Sequence, residues 1–291
     1  MSYGCQSMYG EIKRILLKRP DAAFISQQNL DENYKKFGYL GSPDYESCLK
    51  EYEVFERVIK DHVEDVHFLP RAEGPGLDSI YAHDALKITK KGAIYFNMGK
   101  PGRKGEPAAT RAYLESIGIP TLGCIEPPGT MEGGDVVWLD QKTVAIGRGY
   151  RTNDEGIRQF KELVKDFIDE VITVPMPCGE DPEACLHLMS VISTVDVDLA
   201  VIYSRYMPVF FKEMLIERGM ELLETSDKEY DILGTNVLAL APRKCVMLAG
   251  SPEMKGKLEK AGAEVIEYEG KNISLMGNGG ATCFTAPLLR I

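Results

Sequence analysis

The sequence is short of the residues that would staple it or hold a metal. Its seven cysteines are an odd number, widely scattered over 291 residues and without a CxxC pair. That argues against a disulfide framework or a zinc module, and predicts reduced thiols in a cytoplasmic setting. Cys178, Cys185 and His187 form the densest group, but their spacing matches no standard zinc pattern, so no metal site is expected. Positive charge is also scarce: 34 Lys and Arg against 44 Asp and Glu give a net charge of −10. A nucleic-acid partner, whose affinity would come from neutralising phosphates, is excluded on this balance, and an anionic membrane surface fits it poorly. No apolar run approaches the roughly 18 residues of a spanning helix. The opening Met1-Ser2-Tyr3-Gly4-Cys5 lacks the charged and apolar regions of a signal peptide. No Gly/Ser-rich linker or break in composition divides the chain, which predicts one domain over residues 1–291.

What is present is a repeated order of elements. An apolar run, Ile12 to Pro20, predicts a strand. A polar stretch, Ser26 to Gly41, reads as a surface loop or lid. The spacing of Leu49, Tyr52, Val54, Phe55, Val58 and Ile59 predicts a helix over 44–62, and Val66 to Pro70 a strand. Four further rounds follow. Strands at 78–88 and 93–98, a helix at 106–117 and a strand at 120–125 make the second. Strands at 134–139 and 143–147, a helix at 153–167 and a strand at 171–175 make the third. The fourth has strands at 187–194 and 199–203, a helix at 209–218 and a strand at 220–224. The fifth has strands at 235–241 and 244–248, a helix at 252–261 and a strand at 264–268. Five modules of strand, strand, helix, strand, at a spacing of about fifty residues, predict a cyclic α/β array. A plain three-layer α/β fold would alternate single strands with helices and would not use hairpins.

A ring of modules presents its loops to one central cavity, so chemistry should sit at matching module entrances. Asp78 and Asp84, six apart, are expected on one face of a strand. Glu132-Gly133-Gly134-Asp135 opens the third module and His187-Leu188-Met189-Ser190 the fourth. The last stretch, Gly277-Asn278-Gly279-Gly280-Ala281-Thr282-Cys283, presents a thiol at a glycine turn, followed by an apolar finish that should dock. Taken singly these have bland readings as turn caps, a core histidine or a buried small hydrophobe. His62, His67 and His83 are read as structural. Arg103, in the loop before one helix, and Arg151, between a strand and the next helix, read either as solvated surface charges or as a two-pronged clamp for a carboxylate.

Together, Asp78-Ser79 with His83-Asp84, Glu132-Gly133-Gly134-Asp135, Gly147 to Asn153, His187 to Ser190 and Gly279 to Cys283 resemble the guanidine-modifying enzymes. These share a five-bladed α/β-propeller, the pentein fold, and the likeness is nearest to dimethylarginine dimethylaminohydrolases. It implies Cys283 as nucleophile, His187 as general acid/base, and Asp84 and Glu132 as the guanidinium holders. Arg103 and Arg151 would receive a substrate carboxylate and Asp78 its α-amino group. The implied partner is a small guanidino compound, no cofactor is needed, and relatives of this kind are often homodimers. Met189 stands where arginine deiminases carry an aspartate, which disfavours unsubstituted arginine. Amidinotransferase, arginine deiminase and a non-catalytic binding module are the alternatives.

Overall fold

The computed structural model describes residues 2–178 and 186–291; Cys185, one of the three residues of the rejected metal cluster, lies outside that range. Fifteen strands form five three-stranded sheets among the described residues. The first sheet is built on β1 (Ile12–Leu17) and β2 (Asp65–Phe68), which run parallel. Helix Tyr45–His62 makes the crossover between them. Asp44 caps it by accepting from Ser47 N at 2.8 Å, and Cys48, Tyr52, Phe55 and Ile59 form its buried stripe.

Each later module repeats one plan: a hairpin, a helix, and a third strand parallel to the second. They are β3 (Leu86–Thr89), β4 (Gly92–Tyr95) and β5 (Thr121–Cys124); then β6 (Val136–Trp138), β7 (Thr143–Arg148) and β8 (Glu170–Pro175). The next are β9 (Ile192–Asp196), β10 (Leu199–Ile202) and β11 (Glu221–Glu224); then β12 (Val237–Ala241), β13 (Lys244–Leu248) and β14 (Glu264–Tyr268). The first hairpin turn shows how local chemistry sets the plan. Gly92 has φ +134° and lies so close to the Pro120 carbonyl that a Cβ would meet its oxygen at 2.5 Å.

The first module borrows its hairpin partner from far along the chain. β15 (Ala286–Arg290) pairs antiparallel with β1, giving the order β15-β1-β2. The apolar finish expected to dock is this strand. Next to it β15 packs on β3, and β9 packs on β12.

Three expectations change. The 26–41 stretch is not an irregular loop: Ser26 caps a helix at Gln27–Asn33, and Leu30, Phe37 and Tyr39 are buried in the core. Residues 78–88 are not one strand. Asp78 sits in a 3-10 turn, Leu77–Ile80, and only Leu86–Thr89 is extended, so Asp78 and Asp84 do not share a strand face. His187 likewise lies outside a strand, at the start of a 3-10 turn, Leu188–Ser190, before β9. In the first and third cases a side chain bonds the backbone in place of a strand ladder: Ser26 Oγ accepts from Asn29 N, and Ser190 Oγ accepts from His187 N.

Candidate active site

Five side chains stand just ahead of the first strand of their module. Asp84 precedes β3, Glu132 precedes β6, His187 precedes β9, Asn236 precedes β12 and Cys283 precedes β15. Hydrogen bonds run from each entrance to the next and close into a circle. Asp84 Oδ1 accepts from Gly134 N at 2.8 Å, and Asp135 Oδ1 accepts from Leu188 N at 3.0 Å. Ser193 Oγ donates to the Thr235 carbonyl at 2.6 Å, and Asn236 Oδ1 accepts from Thr282 N at 3.0 Å. His83 N then donates to the Cys283 carbonyl at 3.2 Å, joining the last entrance to the first.

Asp84, His187, Asn236 and Cys283 line one cavity of about 220 Å³, with Met189, Tyr230 and Asp231 also on its wall. Cys283 is half-buried and so reachable. Asn236 Nδ2 donates to its sulfur at 3.2 Å. Gly280 lets this pair form, since a Cβ there would strike the Asn236 amide at 2.6 Å.

His187 is held from two sides. Its Nε2 donates to Glu132 Oε2 at 2.8 Å, and its Nδ1 lies 4.0 Å from Asp84 Oδ1. The ring rests on Gly134, where a Cβ would come within 2.4 Å of Nδ1. Glu132 does not line the cavity. It is completely buried behind the imidazole, and its carboxylate also accepts from Arg151 Nη1 at 3.1 Å and Lys100 N at 2.9 Å. Burial opposes its ionisation, but the hydrogen bond from His187 and the nearby arginines outweigh that and hold the carboxyl below the usual carboxylate range. Asp84 behaves the same way: burial is overcome by Arg103 and His187, and its carboxyl is depressed.

The three residues expected at the amino-acid end of a substrate are placed otherwise. Arg103 is buried, donating from Nη1 to Asp84 Oδ2 at 2.6 Å and in a two-pronged pair to Glu106 at 2.9 and 2.8 Å. Arg151 is buried against Glu132. Asp78 is buried and accepts from Lys100 Nζ at 2.7 Å, which also reaches the Phe37 carbonyl at 2.6 Å. None of the three lines the cavity. The reason is electrostatic: a cluster of buried carboxylates requires buried cations beside it. Asp84, Glu132 and His187 also bring ligand atoms within 4.8 Å of one another, the one such group among the described residues. With Arg103 on one carboxylate and Arg151 on the other, a divalent ion would have to compete with fixed positive charge.

The sequence family described as N,N dimethylarginine dimethylhydrolase, eukaryotic, matches residues 19–290. The chain belongs to this family. Its relatives within and around the dimethylarginine dimethylaminohydrolase group are distant. YkgA of Bacillus subtilis (strain 168) is 27% identical over 98% of this chain and 95% of its own length. The N(G),N(G)-dimethylarginine dimethylaminohydrolase of Pseudomonas aeruginosa is 24% identical over 85% of this chain and 91% of its own. Among solved structures, the Pseudomonas aeruginosa enzyme complexed with citrulline superposes with a TM-score of 0.74 at 23% identity, over 95% of this chain and 99% of that one. The N-terminal domain of the cyanobacterial arginine dihydrolase ArgZ gives 0.81 at 18% identity, over 96% and 98%. These likenesses establish the pentein fold that the family resemblance implied, and with it the five-module array expected from the repeats.

Asn236 is the site residue that the sequence reading passed over. A signal for it existed. Asn236 stands at the fifth module entrance, the position that Asp84, Glu132, His187 and Cys283 hold in the other four.

Proposed function

We propose that this protein hydrolyses a C–N bond of a small guanidino compound through a covalent intermediate on Cys283. The observation that carries the reading is that the Cys283 sulfur, the His187 imidazole and the Asp84 carboxylate line one cavity. A guanidinium carbon is a weak electrophile because its charge is delocalised, so a thiolate is the suitable nucleophile. The substrate cation beside the sulfur, with the Asn236 amide donating to it, favours the ionised thiol.

Attack by the thiolate on the guanidinium gives a neutral tetrahedral adduct whose amino nitrogens face Asp84. His187 delivers a proton to the departing amine, the C–N bond breaks, and an S-alkylthiouronium remains on Cys283. The same imidazole then takes a proton from water, whose oxygen adds to the carbon. Cleavage of the C–S bond returns the thiol and releases a ureido product. In this scheme Glu132 holds His187 in orientation and does not grip the guanidinium directly, and Arg151 and Arg103 keep the two carboxylates ionised and aimed. Binding of a substrate's outer end falls to the groups on the cavity wall, Tyr230 and Asp231 among them. Met189 is apolar on that wall and suits an N-alkyl substituent.

The test is a panel of arginine, mono- and dimethylated arginine, agmatine and guanidino acids, scored for ureido product and released amine, with and without an added amine acceptor. Product formed without an acceptor supports hydrolysis, and product only with one indicates amidino transfer. Cys283→Ser should abolish turnover with the circular dichroism spectrum unchanged, and trapping by acid quench should add the mass of the substrate less its departing amine to the wild-type chain alone. Full activity in the serine variant would remove the covalent route.

A further inference from the structure

A second, tight cavity, with room only for a species of one or two water molecules' size, lies on the other side of the wall formed by His83, Met189 and Thr282, which line both cavities. Its electrostatic character is opposite to that of the protein as a whole. Lys87 and Arg290 line it, and no Asp or Glu does, in a chain whose net charge is −10.

Lys87 is 7% exposed, and its one hydrogen-bond partner among the described residues is His83 Nε2 at 2.6 Å. His83 faces the Thr285 carbonyl with Nδ1 at 2.8 Å, so that nitrogen carries the proton and Nε2 can only accept from the ammonium. Burial, reinforced by the charge on Lys87, depresses the His83 imidazole to about 3, so it stays neutral. Two ammonium protons thus remain for another acceptor. Arg290 brings a second cation to the wall, its Nη1 donating to the Gly10 carbonyl and its guanidinium bonded to the Cys5 thiol. Cys5 also lines the cavity, and burial pushes its thiol up, so it supplies no negative charge.

Burial lowers the Lys87 ammonium to about 8, and the charges of Asp84 and Asp135 offset that only in part, so an anion seated between two cations on a wall without a carboxylate would stabilise it. From this we infer that the cavity behind the candidate active site binds a small monoanion, of the size of a halide or formate, on Lys87 with support from Arg290. The tight, largely apolar lining excludes a bulky or strongly hydrated ion. This inference does not depend on the reaction proposed above.

Thermal unfolding of the intact protein at constant ionic strength tests it, with sodium bromide or sodium formate replacing sodium gluconate, which is too large to enter. At about ten times the dissociation constant, the bound anion should raise the midpoint by roughly 2–3 °C. A rise with bromide alone identifies a halide site, and a rise with formate as well identifies a general small-anion site. Lys87→Met should fold, since methionine fills similar space, and should lose the anion dependence. Bromide-soaked wild-type crystals should give an anomalous peak within hydrogen-bond reach of Lys87 Nζ. Equal midpoints in all three salts, the same anion dependence in Lys87→Met, or crystals with no bromide at that position would overturn the inference.

Discussion

Asn236 contacts the sulfur through its amide nitrogen and the backbone before Cys283 through its oxygen, so it both orients and polarises the thiol. Removing a hydrogen bond to a charged group costs about 1.5–3 kcal/mol. Asn236→Ala should therefore lower kcat about ten- to hundredfold with little change in KM. Asn236→Asp would set a carboxylate against the thiolate and should move the acidic limb of the pH–rate profile to higher pH. An unchanged profile would mean that the amide does not act on the thiol. Arg151→Ala should show the opposite of a substrate-carboxylate contact. Freed of its cation, buried Glu132 would release His187, so kcat should fall while KM holds steady. A rise in KM alone would restore Arg151 to the substrate. Acid stability carries a related signature. The carboxyls of Asp84 and Glu132 are depressed in the fold, so their contribution is complete above the unfolded carboxylate range near pH 4 and is lost as pH falls through the folded values. Glu132→Gln should be less stable at neutral pH, yet lose stability less steeply below about pH 4 in urea titrations.

At the scale of the element, the glycine pair ahead of β6 is the most constrained feature. Gly133 lies against the His83 carbonyl, where a Cβ would sit 2.2 Å away, and Gly134 lies under the His187 ring. Gly134→Ala should displace the imidazole by about an ångström, a misplacement that can cost on the order of 100-fold in rate. The variant should bind substrate with a similar KM, and near-normal kcat would show that the ring does not need its present seat. The module helices were legible because their apolar stripes follow the 3.6-residue period, and β13 and β14 fall on the residues predicted. Entrances were harder. The 3-10 turns at Leu77–Ile80 and Leu188–Ser190 carry apolar residues in short runs that mimic strands. The pairing of β15 with β1 joins residues some 270 apart, and nothing in local periodicity reports such a contact. Which residues would collect at the site could be read from module positions. Whether Arg103 and Arg151 face a substrate or a buried carboxylate depends on burial, which sequence does not display.

For the molecule as a whole, the modules are linked in a circle, and residues near the two ends of the sequence are neighbours. Gly4 N donates to the Leu288 carbonyl at 2.8 Å and Ile291 N to the Glu11 carbonyl at 3.0 Å. Gly219, at an exposed helix end with φ +81° and nothing near its missing Cβ, is a natural place to open the chain instead. A permutant that begins at Met220, with a short linker from Ile291 to Ser2, should fold and turn over the same guanidino compound as the parent. Failure to fold would show that the native order of synthesis matters. If it succeeds, the protein is a bracelet with β15 as its clasp: the chemistry belongs to the closed band, and where the gene happens to unfasten it is a historical accident.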